Sequence, residues 1–288
     1  MATNSGEPMS AVPTPIGNNA LDEESTAFYR RVLGILDAAG VPVLVGGAYA
    51  FAIYTGIERH TKDLDLFVRR SDFERVTRVL AGAGYRTELT FPHWLGKAYA
   101  GPLFVDLIFN SGNGTTPVDE RWFHHAVEAE VLGVPAKIMP VEEMICSKAF
   151  IMERERYDGA DVAHLLRACG ESLDWRRLLE RIGPHWRVLL SHLVLFGFIY
   201  PGERTLVPRG VMDELLGRLA QENATPPGET RVCRGTLLSR EQYLHDLTQQ
   251  GYMDGRLRPV GTMSADEIAI WTEAIDEDKK PPDEPPER

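Results

Sequence analysis

The sequence predicts an α+β protein: a sheet-bearing part to about residue 140, then a helical domain. Two features carry that reading. Before residue 140, short apolar runs bounded by Gly, Pro and polar clusters alternate with amphipathic stretches. After Pro140 the apolar spacing turns helical and breaks only at Gly159, Gly170 and Gly183-Pro184. A length of 288 residues suits one or two domains, and 43% hydrophobic with 25% charged residues is ordinary globular composition.

Residues 1 to 20 are rich in Pro, Gly, Ser and Asn and are expected to be disordered. From Leu21 to Ala39, Phe28, Val32, Leu33, Ile35 and Leu36 recur at helical spacing, and Gly40 ends the helix. Val41–Val45 reads as a buried strand and Gly46-Gly47 as its turn. Ala48–Tyr54 opens a helix that ends near Gly56. Leu64–Val68 is a second strand. Ser71-Asp72-Phe73-Glu74 has the form of a capping box, with a helix to about Ala81. Tyr85–Leu89 and Leu103–Phe109 are further strands, and Ala136–Met139 is a short fifth. Phe91, Trp94 and Tyr99 fall in a Gly- and Pro-containing loop, suited to stacking a base or an acceptor, or to core packing. The parts are therefore a core at 21–140, a helical domain at 141–220 and an extension at 221–275. The extension has one helix around Arg240–Gln249, and an acidic, disordered tail follows at 276–288.

The formal net charge of −11 argues at first against a nucleic-acid binder. Its distribution weakens that argument. Residues 1–25 carry four acids and no Lys or Arg; residues 265–288 carry nine acids and three bases. The other 239 residues sum to −1. The longest apolar run, Val188–Tyr200, is interrupted by Ser191, His192 and Gly197 and falls short of a membrane span. The segment MATNSGEPMS has neither a basic n-region nor an apolar h-region, so no secretory signal is expected. Cys146, Cys169 and Cys233 are odd in number and far apart, which fits a reducing cytoplasm rather than a disulfide framework or zinc site.

The carboxylates are the most informative residues. Asp63 and Asp65 are two apart in an extended segment, so their side chains share a face. Two carboxylates that close repel unless a cation lies between them. Asp106 stands in the middle of another apolar strand. Three strand-borne carboxylates meeting at one point would form an oxygen-ligand site for a hard cation, most naturally Mg²⁺. The competing reading of Asp63 and Asp65 is an exposed strand end paired with Arg59 or Lys62. Upstream, a Gly pair between a buried strand and a helix lets backbone N–H groups approach phosphate closely; an ordinary turn is the alternative. No Walker A or GxGxxG sequence occurs.

Gly46-Gly47, the following helix, Arg59-His60-Thr61-Lys62-Asp63-Leu64-Asp65 and the later Val105-Asp106-Leu107 together resemble the nucleotidyltransferase superfamily of polymerase beta-like fold. More narrowly they resemble its bacterial AbiEii-type and MenT-type branch. Fifteen residues, 48–62, separate Gly47 from Asp63. That spacing is long for the superfamily and in keeping with this branch. Val141–Lys148 is similar to the Pro-Glu-Asp-Leu-Ile-x-x-Lys helix of these relatives. Arg156–Leu166 is similar to their Arg-x-Lys-Asp-x-x-Asp-Leu segment, with Tyr157 where Lys is usual. The resemblance covers about residues 26–180.

It implies a mixed-sheet core followed by a helical domain. It also implies transfer of NMP from an NTP to a hydroxyl acceptor, with release of pyrophosphate. Asp63, Asp65 and Asp106 would be catalytic and hold two Mg²⁺ ions, with Mn²⁺ an alternative. Gly46 and Gly47 would cradle phosphates. Arg59, Thr61, Lys62, Lys148 and Asp161 would lie near the triphosphate, each with a plainer reading as a solvated or helix-terminal residue. His60, the His124-His125 pair and Cys146 read as structural. The acceptor would be a tRNA 3′ end or a protein, with a possible antitoxin partner. The alternatives are a small-molecule, antibiotic-type enzyme and a non-catalytic binder of a nucleotide or partner. Arg69, Arg70, Arg75, Arg78, Arg176, Arg177, Arg181 and Arg187 would supply the basic face that tRNA needs, or else a scattered solvated surface.

Overall fold

The computed structural model describes residues 23–278, apart from His60, Lys62 and Glu229. The first 22 residues and the last ten therefore lie outside the described residues, and with them the expected N-terminal tail and most of the C-terminal one. In chain order, α1 (Glu23–Ala38), β1 (Leu44–Val45), α2 (Gly47–Thr55), β2 (Leu64–Phe67) and α3 (Phe73–Gly82) come first. They are followed by β3 (Arg86–Phe91), β4 (Leu95–Ala100), β5 (Leu103–Ile108), α4 (Glu120–His124), β6 (Val127–Val131) and β7 (Val134–Ile138). These strands form one seven-stranded sheet of order β3-β4-β5-β2-β1-β7-β6. It is mixed: β2 pairs parallel with β5, and β1 parallel with β7, while β1 and β2 are antiparallel.

Alternation along the strands divides the sheet into two chemically different faces. Leu64 and Leu66 on β2 stand opposite Val105 and Leu107 on β5, and all four are fully buried. Helix α3 lies on this side. Phe73 reaches Gly96, the residue paired with Leu107, so closely that a Cβ at Gly96 would sit 2.3 Å from its ring. Between those leucines, Asp65 stands directly opposite Asp106 on the other face.

The helical region contains α5 (Val141–Ala149), α6 (Gly159–Cys169), α7 (Trp175–Ile182), α8 (Trp186–Ile199) and α9 (Arg209–Asn223). Gly183, at φ +50°, turns the chain between α7 and α8. The helical run Trp175–Ile199 meets the length and composition of a membrane-crossing helix. Leu189, Leu190, Leu193 and Phe196 nevertheless pack into the core. The C-terminal part adds a two-stranded sheet of β8 (Val232–Cys233) and β9 (Met253–Asp254), the short α10 (Leu244–Thr248) and α11 (Ala265–Asp278).

Several local expectations change. The first strand shrinks to Leu44–Val45, because the Val41 N–H closes the end of α1 by donating to Leu36 O. The capping box does not form: Asp72 is the N-cap, makes no side-chain cap bond, and pairs instead with Arg69 at 2.5 Å. The supposed aromatic loop is mostly sheet. Phe91 ends β3 and Tyr99 lies in β4, with Trp94 in the turn between the strands. Phe91 and Trp94 pack 4.9 and 5.2 Å from the Trp271 ring of α11. Their role is core packing. Strand β6 and helices α4 and α11 were not anticipated. Helix α11 runs to Asp278, beyond residue 276 where a tail was expected, so six of the nine C-terminal acids are on a helix.

Candidate active site

The face of β2 and β5 opposite the leucines brings three of the sequence-predicted carboxylates together. Ligand oxygens of Asp63, Asp65 and Asp106 all lie within 4.8 Å of one another. The geometry follows from register. Asp65 and Asp106 are paired across β2 and β5, and Asp63, two residues before Asp65, projects to the same side. Thr61 Oγ1 donates to Asp63 Oδ1 at 2.5 Å and so fixes that carboxylate.

Such convergence is electrostatically unfavourable without a cation. Burial, with the charges of Asp63 and Asp106, pushes the Asp65 carboxyl up to about 7, against the pull of Lys148 and Arg156. Burial also raises Asp106, although Lys97 opposes the shift. An all-oxygen, acidic donor set of this kind suits Mg²⁺ or Mn²⁺.

Gly46 and Gly47 join β1 to α2 directly beside the carboxylates. Gly46 N–H donates to Asp65 O at 2.9 Å. A Cβ on Gly46 would lie 2.1 Å from the Phe67 ring and 2.8 Å from Met139 Sδ. Gly47 has φ +54°, and a Cβ there would lie 1.7 Å from Asp65 Oδ2. Both positions thus require glycine for packing alone. The second does so because the backbone at the start of α2 runs against the Asp65 carboxylate.

Lys148 and Arg156 from the helical region act on the charge of Asp65, and Arg59 from the segment after α2 joins them through Asp161. Lys148, in the last turn of α5, donates to Asp161 Oδ2 at 2.6 Å and to Asp158 Oδ2 at 3.1 Å. Arg59 pairs with Asp161. Its guanidinium lies 4.4 Å over the Phe51 ring of α2, and Lys148 Nζ is 5.8 Å from the same ring. Arg156 donates to both oxygens of Asp158 at 3.1 Å. Burial alone would raise Asp158, but these cations hold it below the usual carboxylate range. Lys148 and Arg156 both act electrostatically on Asp65, so the cluster lies within its field. Lys62 and His60 lie outside the described residues.

Lys97, Arg156 and Phe51 were not among the sequence candidates. Lys97 stands on β4 opposite Asp106 and donates to its Oδ1 at 2.5 Å. Reading β4 as a loop hid it. A helical reading of α2 places Phe51 on the chain, but not its contact with Arg59.

Most of the anticipated basic face is engaged elsewhere. Arg177 pairs with Glu142 and Glu143, and Arg181 pairs with Glu143 at 3.2 Å and Asp119 at 2.6 Å. These form a network around the fully buried Glu143, tying α5 and α7 to α4. Arg69 pairs with Asp72 and Glu120, Arg176 with Glu180, and Arg187 with Glu222. Arg75 donates to Ala39 O, and Arg70 lies over Phe73 and Phe109. Cys146 is buried beside Glu143, its thiol pushed up to about 12 by burial, which agrees with a structural role.

Among solved structures, the antibiotic-resistance factor ANT(2″)-Ia is 14% identical, with a TM-score of 0.40; 71% of this chain and 97% of that one are covered. A candidate nucleotidyltransferase from Thermotoga maritima is 17% identical, with a TM-score of 0.34 and coverages of 43% and 83%. A tRNA-processing enzyme is 16% identical, with a TM-score of 0.30 and coverages of 70% and 53%. No match to the chain is found among curated proteins. The sequence profile of the family described as Uncharacterised nucleotidyltransferase matches residues 18–190, a span that contains the three carboxylates, the Gly pair and the cationic cluster. The chain belongs to that nucleotidyltransferase family.

Proposed function

We propose that the protein is a divalent-metal-dependent enzyme that transfers NMP from an NTP to a hydroxyl acceptor. The observation that carries this reading is the convergence of Asp63, Asp65 and Asp106 within 4.8 Å, with Lys148 and Arg156 near enough to act on the charge of Asp65. Asp63, Asp65 and Asp106 would hold two Mg²⁺ ions. When bound, the metals supply charge stabilisation at the attacking and leaving oxygens. The acceptor oxygen forms a bond to the α-phosphorus, and the bond from that phosphorus to the β-phosphate bridging oxygen breaks. Pyrophosphate leaves.

The chain's own groups divide the remaining work. Asp106 takes the proton of the acceptor hydroxyl. Thr61 holds Asp63 in its rotamer. Gly47 offers its backbone N–H to the triphosphate at the start of α2, while the Gly46 N–H is held by Asp65 O and fixes the turn. Lys148 and Arg59 neutralise it, and Asp158 and Asp161 keep these cations aimed before the nucleotide arrives. Lys62 belongs to the same proposed phosphate-binding segment.

The acceptor is a macromolecular hydroxyl, at a tRNA 3′ end or a protein side chain, as in the AbiEii- and MenT-type relatives that the motifs resemble. An antitoxin partner goes with that reading. The test is incubation with each α-labelled NTP and Mg²⁺, with total tRNA, cell protein and a panel of hydroxylated antibiotics as acceptors. Label in RNA or protein supports the proposal. Label only in a small molecule moves the enzyme to the antibiotic-modifying class. Transfer that survives Asp63→Ala/Asp65→Ala overturns the site, and nucleotide binding without transfer to any acceptor makes the protein a non-catalytic binder.

A further inference from the structure

We infer that Lys97 is a positioning residue that serves as the internal counter-ion of Asp106, neutralising it in the metal-free protein and setting the affinity of the carboxylate cluster for a divalent cation. The inference rests on the metal-site reading above.

Sheet register places Lys97 there. Glu88, Lys97, Asp106 and Asp65 occupy paired positions across β3, β4, β5 and β2, so their side chains form one row on one face. Glu88 is engaged by Arg86 at 2.8 Å. Lys97 turns the other way and donates to Asp106 Oδ1 at 2.5 Å. Its Nζ also lies 4.1 Å over the ring of Phe104, two residues before Asp106 on the same face. The lysine side chain is 20% exposed and that of Asp106 13%, so solvent screens the pair weakly.

The ammonium is thus held by a carboxylate on one side and an aromatic face on another. It compensates Asp106, as Thr61 holds Asp63. A divalent cation entering the cluster must share Asp106 with this ammonium or displace it. The lysine therefore weakens metal binding while keeping Asp106 in the rotamer that points at Asp65 and Asp63.

The experiment compares wild type, Lys97→Met and Lys97→Arg. Methionine keeps the packing against Phe104 and removes the charge; arginine retains the charge. Mn²⁺ binding is followed by electron paramagnetic resonance in the absence of nucleotide. Removing a weakly screened cation should tighten Mn²⁺ binding about tenfold in Lys97→Met, with Lys97→Arg within about twofold of wild type. Under saturating Mn²⁺, kcat of Lys97→Met should fall by about tenfold with KM for NTP nearly unchanged, because Asp106 loses its aim. Circular dichroism shows whether each variant is folded, and Lys97→Arg keeps the comparison usable if Lys97→Met is not. Equal Mn²⁺ affinity in wild type and folded Lys97→Met overturns the role of Lys97 alone. Weaker affinity in Lys97→Met does the same. No Mn²⁺ binding to wild type overturns the metal-site reading itself.

Discussion

Replacing Gly47 with alanine should abolish activity while leaving most of the fold intact. At this position φ is +54°, and a Cβ would lie 1.7 Å from Asp65 Oδ2. The left-handed conformation costs a non-glycine residue roughly 1–2 kcal/mol. The overlap must also be relieved, and the atom that can move is the Asp65 carboxylate; overpacking of this kind costs about 1–3 kcal/mol. Together these destabilise by about 2–5 kcal/mol, which for a chain of this size lowers Tm by roughly 4–20 °C. The functional effect is larger than the structural one, because any rotation that relieves the clash takes Asp65 away from Asp63 and Asp106. Nucleotidyl transfer by Gly47→Ala should fall more than about a hundredfold, with Mn²⁺ stabilisation of the melt lost. Gly46→Ala is the matched control: its Cβ meets Phe67, which stacks on Trp122 at 5.3 Å, and so should act chiefly on stability. Wild-type transfer and Mn²⁺ stabilisation in Gly47→Ala would refute the argument that this backbone is built around Asp65.

Other consequences follow from the same geometry. In the metal-free protein the Asp65 carboxyl is pushed up to about 7 and favours its neutral form. Its contribution to stability is full below an ordinary carboxylate pKa of about 4 and is lost as pH rises to about 7, on the order of 3–4 kcal/mol in all. Buried His93 and His192 and half-buried His185 have lowered pKa values and act in the opposite direction, so the readout is the difference between wild type and Asp65→Asn in EDTA. The stability of wild type relative to Asp65→Asn should fall from pH 4 to pH 7, and a constant difference would contradict the assignment. Lys148→Ala should cut kcat/KM by roughly a hundredfold, mostly through KM for NTP; steady-state kinetics check it, and an effect on kcat alone would place Lys148 elsewhere. Arg177→Ala leaves Glu142 and the fully buried Glu143 short of a cation and should cost about 3–5 kcal/mol in chemical denaturation. In the residual folded protein the KM for NTP should be unchanged.

The parts of the site that lie close together in sequence were legible without coordinates. Asp63 and Asp65 share a face by strand periodicity alone, and Asp106 draws notice as an acid inside an apolar run. The Gly pair marks a turn, but its close approach to Asp65 and Phe67 depends on how β1 pairs with β2. Long-range partners were out of reach for the same reason. Arg59 reaches Asp161 and Lys97 reaches Asp106 only once helix packing and strand register are set. Strand β4 does not stand out in the sequence because Pro92, Gly96 and Pro102 look like loop punctuation and it has no β-branched residue. Gly96 is there to admit Phe73 of α3. The arginines misled in the opposite direction. Arg177 and Arg181 read as surface cations, yet they serve the buried Glu143, whose acidic side chain gives no sign of burial in the sequence.

The central claim is that the α-phosphorus is the atom attacked, at the site formed by Asp63, Asp65 and Asp106. The most direct measurement compares α-labelled with γ-labelled NTP in parallel reactions with the same acceptor, metal and enzyme. The account predicts that the α-label becomes covalently attached to the acceptor while the γ-label appears only in pyrophosphate, and that EDTA or Asp63→Ala/Asp65→Ala stops both. Transfer of the γ-label to the acceptor, or transfer of the α-label by the double variant, would contradict it.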